Sequence, residues 1–113
     1  MQNERRLPLE IEQTLYRVAQ EALSNVERHA MASEIIVSVT FMETEVALKI
    51  RDNGVGFILP ARTSDLIAGQ HLGIIGMHER AELIGGDLYM QSSLGKGVKV
   101  RLRVKLVDDH SKA

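Results

Sequence analysis

Val46-Ala47-Leu48-Lys49-Ile50-Arg51-Asp52-Asn53-Gly54-Val55-Gly56-Phe57 runs an alternating apolar segment straight into an acid and two glycines. The alternation predicts a strand over 45–51. An acid at the end of a strand sits on rigid backbone, so Asp52 is a candidate fixed hydrogen-bond acceptor. Gly54 and Gly56 allow backbone conformations that a Cβ forbids, and they let a flat ligand approach closely. The same residues also make a tight turn, because Asp-Asn-Gly is a strong turn former. The hexapeptide alone does not separate a turn from one wall of a site.

Upstream, residues 34–42 are β-branched and alternating, and they pair with 45–51 across Glu43-Thr44 as an antiparallel hairpin. Before them, apolar residues fall at 11, 15, 18, 19, 22, 23, 26 and 30, a helical spacing. Pro8 suits the first turn, so a helix is expected from there to about Ala30. Downstream, residues 53–72 lack sustained periodicity and contain Pro60 and Gly69, as lids and binding loops do. A second helix is predicted from Gly73 to Ile84, ended by Gly85-Gly86. A strand at 87–92, a turn at Leu94-Gly95-Lys96-Gly97 and a strand from Val98 to Val107 complete the pattern. With both helices on one face of a mixed, mostly antiparallel sheet, the fold class is α+β, a two-layer α/β sandwich. The expected organisation is a single domain over 1–113, with a core of about 7–107 and a polar tail at 108–113.

Composition narrows the function classes. The formal net charge is −1, so no general basic field draws nucleic acid or an anionic membrane. Residues 96–105 carry five basic side chains, but these alternate with Val and Leu and read as the wet face of a strand. The absence of cysteine removes disulfides, thiolate zinc sites and thiol nucleophiles. No stretch approaches the ~18 apolar residues of a membrane span, and no signal peptide is seen. Two tyrosines, two phenylalanines and no tryptophan offer few stacking platforms for single-stranded nucleic acid.

Three further groups could complete a site around Asp52. Glu21, Asn25 and Arg28 are spaced four and three apart, and so share one side of the first helix, away from its apolar stripe. That is a solvated face or an acid, carboxamide and cation presented together to a polar ligand. Asn25 offers a neutral oxygen of the kind Mg²⁺ takes, and Arg28 or His29 can face phosphate oxygens. Leu72-Gly73-Ile74-Ile75-Gly76-Met77 opens the second helix, where bare amide groups and the positive end of the dipole suit a phosphate. Gly95-Lys96-Gly97 is by itself an ordinary hairpin turn.

In this order the four pieces resemble the motifs of the GHKL (Bergerat) ATP-binding fold, shared by histidine kinases, type II topoisomerases and Hsp90. Gln20 to Ala30 is similar to its N-box, Asp52 to Phe57 to its G1 box, and Leu72 to Arg80 followed by Gly85-Gly86 to its G2 box. Ser92 to Val98 is similar to the last glycine box. The Gly76-Met77-His78-Glu79-Arg80 stretch resembles the NarL/DesK-type sensor histidine kinases in particular. The resemblance spans about residues 7–107.

What the resemblance implies is an ATP-binding kinase domain of a two-component system, with ATP and Mg²⁺ as cofactors. Asp52 would accept a hydrogen bond from the adenine amino group, with Gly54 and Gly56 leaving room for the base. Asn25 would hold Mg²⁺, Arg28 and His29 would stand near phosphate oxygens, and Glu21 is the candidate catalytic acid. Gly73, Ile74, Gly76 and Met77 would line the nucleotide, with residues 58–72 as the lid. Val98 stands where the family has threonine, so a hydroxyl beside the adenine is missing. The implied partners are a dimerisation segment bearing the phosphoacceptor histidine and a NarL/LuxR-type response regulator, with no nucleic acid and no direct membrane contact. No phosphoacceptor element is found in these 113 residues, so the chain reads as a cytoplasmic catalytic fragment that autophosphorylates little alone. The alternatives are a free-standing serine kinase or ATPase of anti-sigma type, or a non-catalytic nucleotide sensor.

Overall fold

A computed structural model describes residues 7–27, 31–56 and 72–106. In chain order they form α1 (Leu9–Asn25), β1 (Ile35–Phe41), β2 (Glu45–Asp52), α2 (Leu72–Leu83), β3 (Asp87–Ser92) and β4 (Val98–Lys105). The strands make one four-stranded sheet in the order β1-β2-β4-β3. Every pairing among the described residues is antiparallel, so the parallel component expected of a mixed sheet is not present in them.

Pro8 precedes α1 in an extended conformation, and its carbonyl accepts the Ile11 and Glu12 N–H groups, each at 3.0 Å. Glu10 and Glu12 lie in the first turn, where negative charge meets the positive end of the helix dipole. The end of α2 follows from its two glycines. Gly85 has φ +68°, its N–H donates to the Glu82 carbonyl, and the Gly86 N–H reaches back to Ala81 at 2.8 Å. That paired return is a Schellman cap, and it explains why the helix stops there.

Both helices cover one face of the sheet and pack on each other. Ile11, Leu15, Val18 and Ala22 from α1 meet Ile74, Met77 and Ala81 from α2 over Val46, Leu48, Ile50, Val100, Leu102 and Val104. The two-layer arrangement is as the sequence predicts, but the first strand differs. Val37, Val39 and Phe41 stand opposite Ile50, Leu48 and Val46 and therefore share their face, yet every residue of β1 is exposed. The cause is position: α1 packs on β2 and β4 and α2 on β3, leaving the edge strand β1 beyond the helices' reach.

The residues at 28–30, the end of the first helix as predicted, and the 58–72 lid lie outside the described residues except for Leu72, which begins α2. The opposite, helix-free face of the sheet is polar, and there Arg103 holds the Glu45 carboxylate through Nε and Nη2 at 3.1 and 3.2 Å.

Candidate functional site

Asp52 is the last residue of β2, paired with Ile35, rather than the first residue beyond the strand. Strand pleating therefore sets its direction: it continues the row Val46, Leu48, Ile50 and lies on the helix side. Its exposure is 5%, and it is the single buried ionisable side chain among the described residues. The Gly54 N–H donates to its Oδ1 at 2.7 Å, closing a turn in which the side chain imitates a backbone carbonyl. The turn and the site are thus one object, because the contact that makes the turn also orients the carboxylate.

The segment 52–56 is held from both sides. Asn53 Oδ1 accepts the Ser33 and Glu34 N–H groups, each at 3.0 Å, and its Nδ2 donates to Ser33 Oγ at 3.0 Å. On the other side the Gly95 N–H donates to the Val55 carbonyl at 2.7 Å. Gly97, buried at φ +75°, lies so close to Asp52 that a Cβ there would overlap its backbone carbonyl. Gly56, at φ +65°, is packed in the same way against the Ser93 carbonyl. Only glycine fits such positions, since a side chain is disfavoured both by the backbone angle and by the neighbour. The Gly95-Lys96-Gly97 turn is therefore the back wall of the Asp52 pocket.

The second group forms at the helix pair. Its buried stripe is Ile11, Leu15, Val18, Ala22 and Val26, whereas Leu23 is 38% exposed. Counting only these five residues, the stripe centre lies ~60° from Asn25 and ~100° from Glu21 at 100° per residue. Asn25 is accordingly half-buried, and Glu21, farther round the helix, is half-buried where the second helix approaches it. The Glu21 carboxylate lies against Gly73, where a Cβ would overlap it. The acid of the first helix and the first glycine of the second are thus in contact.

The structure brings together Asp52, Gly54, Gly56 and Gly97, and separately Glu21 with Gly73. Both groups sit on the helix side of the sheet. Ile74 and Met77 are core residues, Met77 with no exposed surface at all. Gly76 is half-buried, with Arg80 Nη1 as the atom nearest to where a Cβ would be, at 3.3 Å. Val98 pairs with Ser92 at the start of β4 and packs on the core edge. Arg28 and His29 lie outside the described residues. Sequence reasoning passed over Asn53 as a clamp, because its partners are 19 and 20 residues away and only its turn propensity is local.

The glycines and oxygens fit a nucleotide with a divalent cation in chemical character. A buried, oriented carboxylate accepts an amino hydrogen, and half-buried Asn and Glu oxygens suit a hard cation that keeps several waters.

Residues 10–108 match the family described as "Histidine kinase-, DNA gyrase B-, and HSP90-like ATPase". The oxygen sensor histidine kinase NreB of Staphylococcus carnosus is 38% identical over 99 residues, 88% of this chain and 27% of that protein. The signal transduction histidine-protein kinase/phosphatase DegS of Bacillus subtilis is 36% identical over 103 residues, covering 91% and 26%. The chain thus spans about a quarter of these relatives' length. In fold it is similar to the blue-light activated histidine kinase of Erythrobacter litoralis EL346. The TM-score there is 0.72 at 19% identity, over 93% of this chain and 33% of that one.

Proposed function

The chain belongs to the histidine kinase-, DNA gyrase B- and HSP90-like ATPase family, and on that premise we propose that it is the Mg-ATP-binding catalytic domain of a NarL-type sensor histidine kinase. The observation that carries this reading is Asp52, a buried carboxylate held in one orientation by the Gly54 N–H and walled by Gly97. With Oδ1 occupied by the Gly54 N–H, the other carboxylate oxygen is left to accept from a ligand that brings a donor. The adenine amino group is such a donor, whereas guanine presents a carbonyl at that position.

Asn25 is the metal ligand in this reading, and Gly73 and Gly76 add no side chain of their own where the amide groups at the entrance of α2 would face the phosphates. A bound magnesium ion supplies charge neutralisation to the triphosphate. Arg28 and His29 add positive charge beside it. Glu21, set against Gly73, orients the groups around the transferred phosphoryl. Ile74 and Met77 contribute as the packed floor beneath the glycines. In the whole protein the γ-phosphoryl passes to a histidine of a dimerisation domain, and from there to a response regulator of NarL/LuxR type. Identity above 30% to sensor kinases favours this over a serine kinase of anti-sigma type.

The test is calorimetric titration of ATP, ADP and GTP, with Mg²⁺, into the wild type and Asp52→Ala. ATP and ADP bind the wild type, GTP binds at least tenfold more weakly, and Asp52→Ala loses most of the ATP affinity. Undiminished binding by the variant would overturn the adenine assignment. No binding by the wild type would end the nucleotide reading.

A further inference from the structure

The helix-free face of the sheet carries an arrangement that the nucleotide reading does not use. Strand pairing doubles the basic row of β4: Lys99 stands opposite Arg51, and Arg101 stands opposite Lys49. Like charges in directly opposed positions destabilise a sheet. At the far end of the same face the charges are balanced, with Glu45 opposite Lys105, Asp87 opposite Arg103, and Arg103 gripping Glu45. At the near end none of the four cations has an ion pair among the described residues. Arg101 lies 5.1 Å over the Tyr89 ring, and its Nε is buried without a hydrogen-bond partner. The four cations, Tyr89 and Gln91 line a depression of about 450 Å³.

We infer that this quartet is a docking surface for an acidic segment of a partner protein. Charge complementarity asks for an anion, and three features select a peptide. The face already holds one carboxylate by two donors of an arginine, two residues along β4 from Arg101. Lys49 and Arg51, like Lys99 and Arg101, recur with the two-residue period of a strand. An extended segment with acids at alternate positions repeats at that same ~6.8 Å spacing. Tyr89, the aromatic ring of this patch, has Arg101 over one face at 5.1 Å from its centroid, so a base could stack on that face only by displacing the cation. The patch also lacks the Trp, Phe and Leu anchors of a lipid-binding face, and a net charge of −1 disfavours extended polyanions. The surface lies on the opposite side of the sheet from Asp52, so it does not rest on the nucleotide assignment.

The experiment is an amide chemical-shift titration with a peptide of alternating Glu and Ser, with oligothymidylate and with vesicles of phosphatidylserine in parallel. Saturable shifts confined to Lys49, Arg51, Tyr89, Gln91, Lys99 and Arg101 are expected. The dissociation constant should rise about tenfold in the double variant Lys49→Gln/Lys99→Gln and stay unchanged in Lys105→Gln. Because the double variant removes opposed like charges, its melting temperature should equal or exceed that of the wild type. Shifts spread evenly over all surface lysines, equal peptide binding by the double variant, or a fall in its melting temperature would overturn the inference. So would tighter binding of oligothymidylate or of the vesicles than of the peptide.

Discussion

Gly95 and Gly97 lie two residues apart in one hairpin turn, both with positive φ, at +80° and +75°. Replacing either with alanine imposes the left-handed penalty of ~1–2 kcal/mol, partly offset by ~0.4–1 kcal/mol from a less flexible unfolded chain. For Gly95→Ala nothing else is expected, because no atom lies within 4 Å of the added methyl. In Gly97→Ala the methyl overlaps the Asp52 backbone carbonyl and comes within 3.1 Å of Oδ1. A carbonyl at a strand end moves only with its strand, so an overpacking term of ~1–3 kcal/mol is added. The two variants should therefore differ by about 2 kcal/mol, or roughly 8 °C in melting temperature for a domain of this size. Thermal unfolding followed by circular dichroism measures that gap, and ATP titration of the same samples follows the pocket. Gly97→Ala should lose nucleotide affinity at temperatures where it is folded, and Gly95→Ala should keep it. Equal melting temperatures in the two variants would refute the packing argument. Unchanged affinity in a folded Gly97→Ala would refute the pocket.

Gly73→Ala should behave in the opposite way. The methyl displaces only the far end of the flexible Glu21 side chain, and alanine is the better helix former by ~1 kcal/mol. The melting temperature should hold or rise, while autophosphorylation with the dimerisation segment supplied falls by at least ~10-fold, since a positioned acid of this kind contributes ~10²–10⁴. A full phosphorylation rate in that variant would remove Glu21 from the mechanism. Asn53→Ala loses three side-chain hydrogen bonds and should lower stability by about 1–2 kcal/mol in urea unfolding, exposure holding the effect below the full sum; a loss under ~0.5 kcal/mol would mean the clamp is not energetically significant. Hydrogen bonding to Arg103, more than the charge of Arg103 or Lys105, holds the Glu45 carboxyl below its ordinary value. Its stabilising effect is therefore present above the unfolded carboxyl's value and is lost as pH falls through the lower folded one. A carbon-detected titration should show the Glu45 midpoint rising in Arg103→Gln, and an unmoved midpoint would exclude the pair as the cause.

Much of the architecture was legible because the signals are local. The helical spacing from Ile11, the alternation of 45–51 and Gly85-Gly86 each act over a few residues, and each became the element it predicts. The strand at 87–92 begins and ends where the sequence predicts. Other features were not legible because they arise from pairing. β1 has the composition of a half-buried strand, yet its apolar side is uncovered because it is an edge beyond both helices. The basic run after Gly95 looked like an ordinary wet strand face until its register with β2 set Lys49 and Arg51 opposite it. Helical spacing places Glu21 and Asn25 on a solvated face; Asn25 is half-buried because the buried stripe excludes Leu23, and Glu21 because Gly73 of α2 packs against it.

By itself, the sequence determined the elements, their order and the chemistry available at Asp52, Asn25, Glu21 and the glycines, since hydrophobic period and glycine placement act within a few residues of themselves. Only the tertiary structure decided which of those residues meet. Asp52 is buried because Gly97, 45 positions later, crosses it without a Cβ, and Glu21 is positioned because Gly73 leaves it room. Such contacts depend on strand register and helix packing, which the whole core sets together.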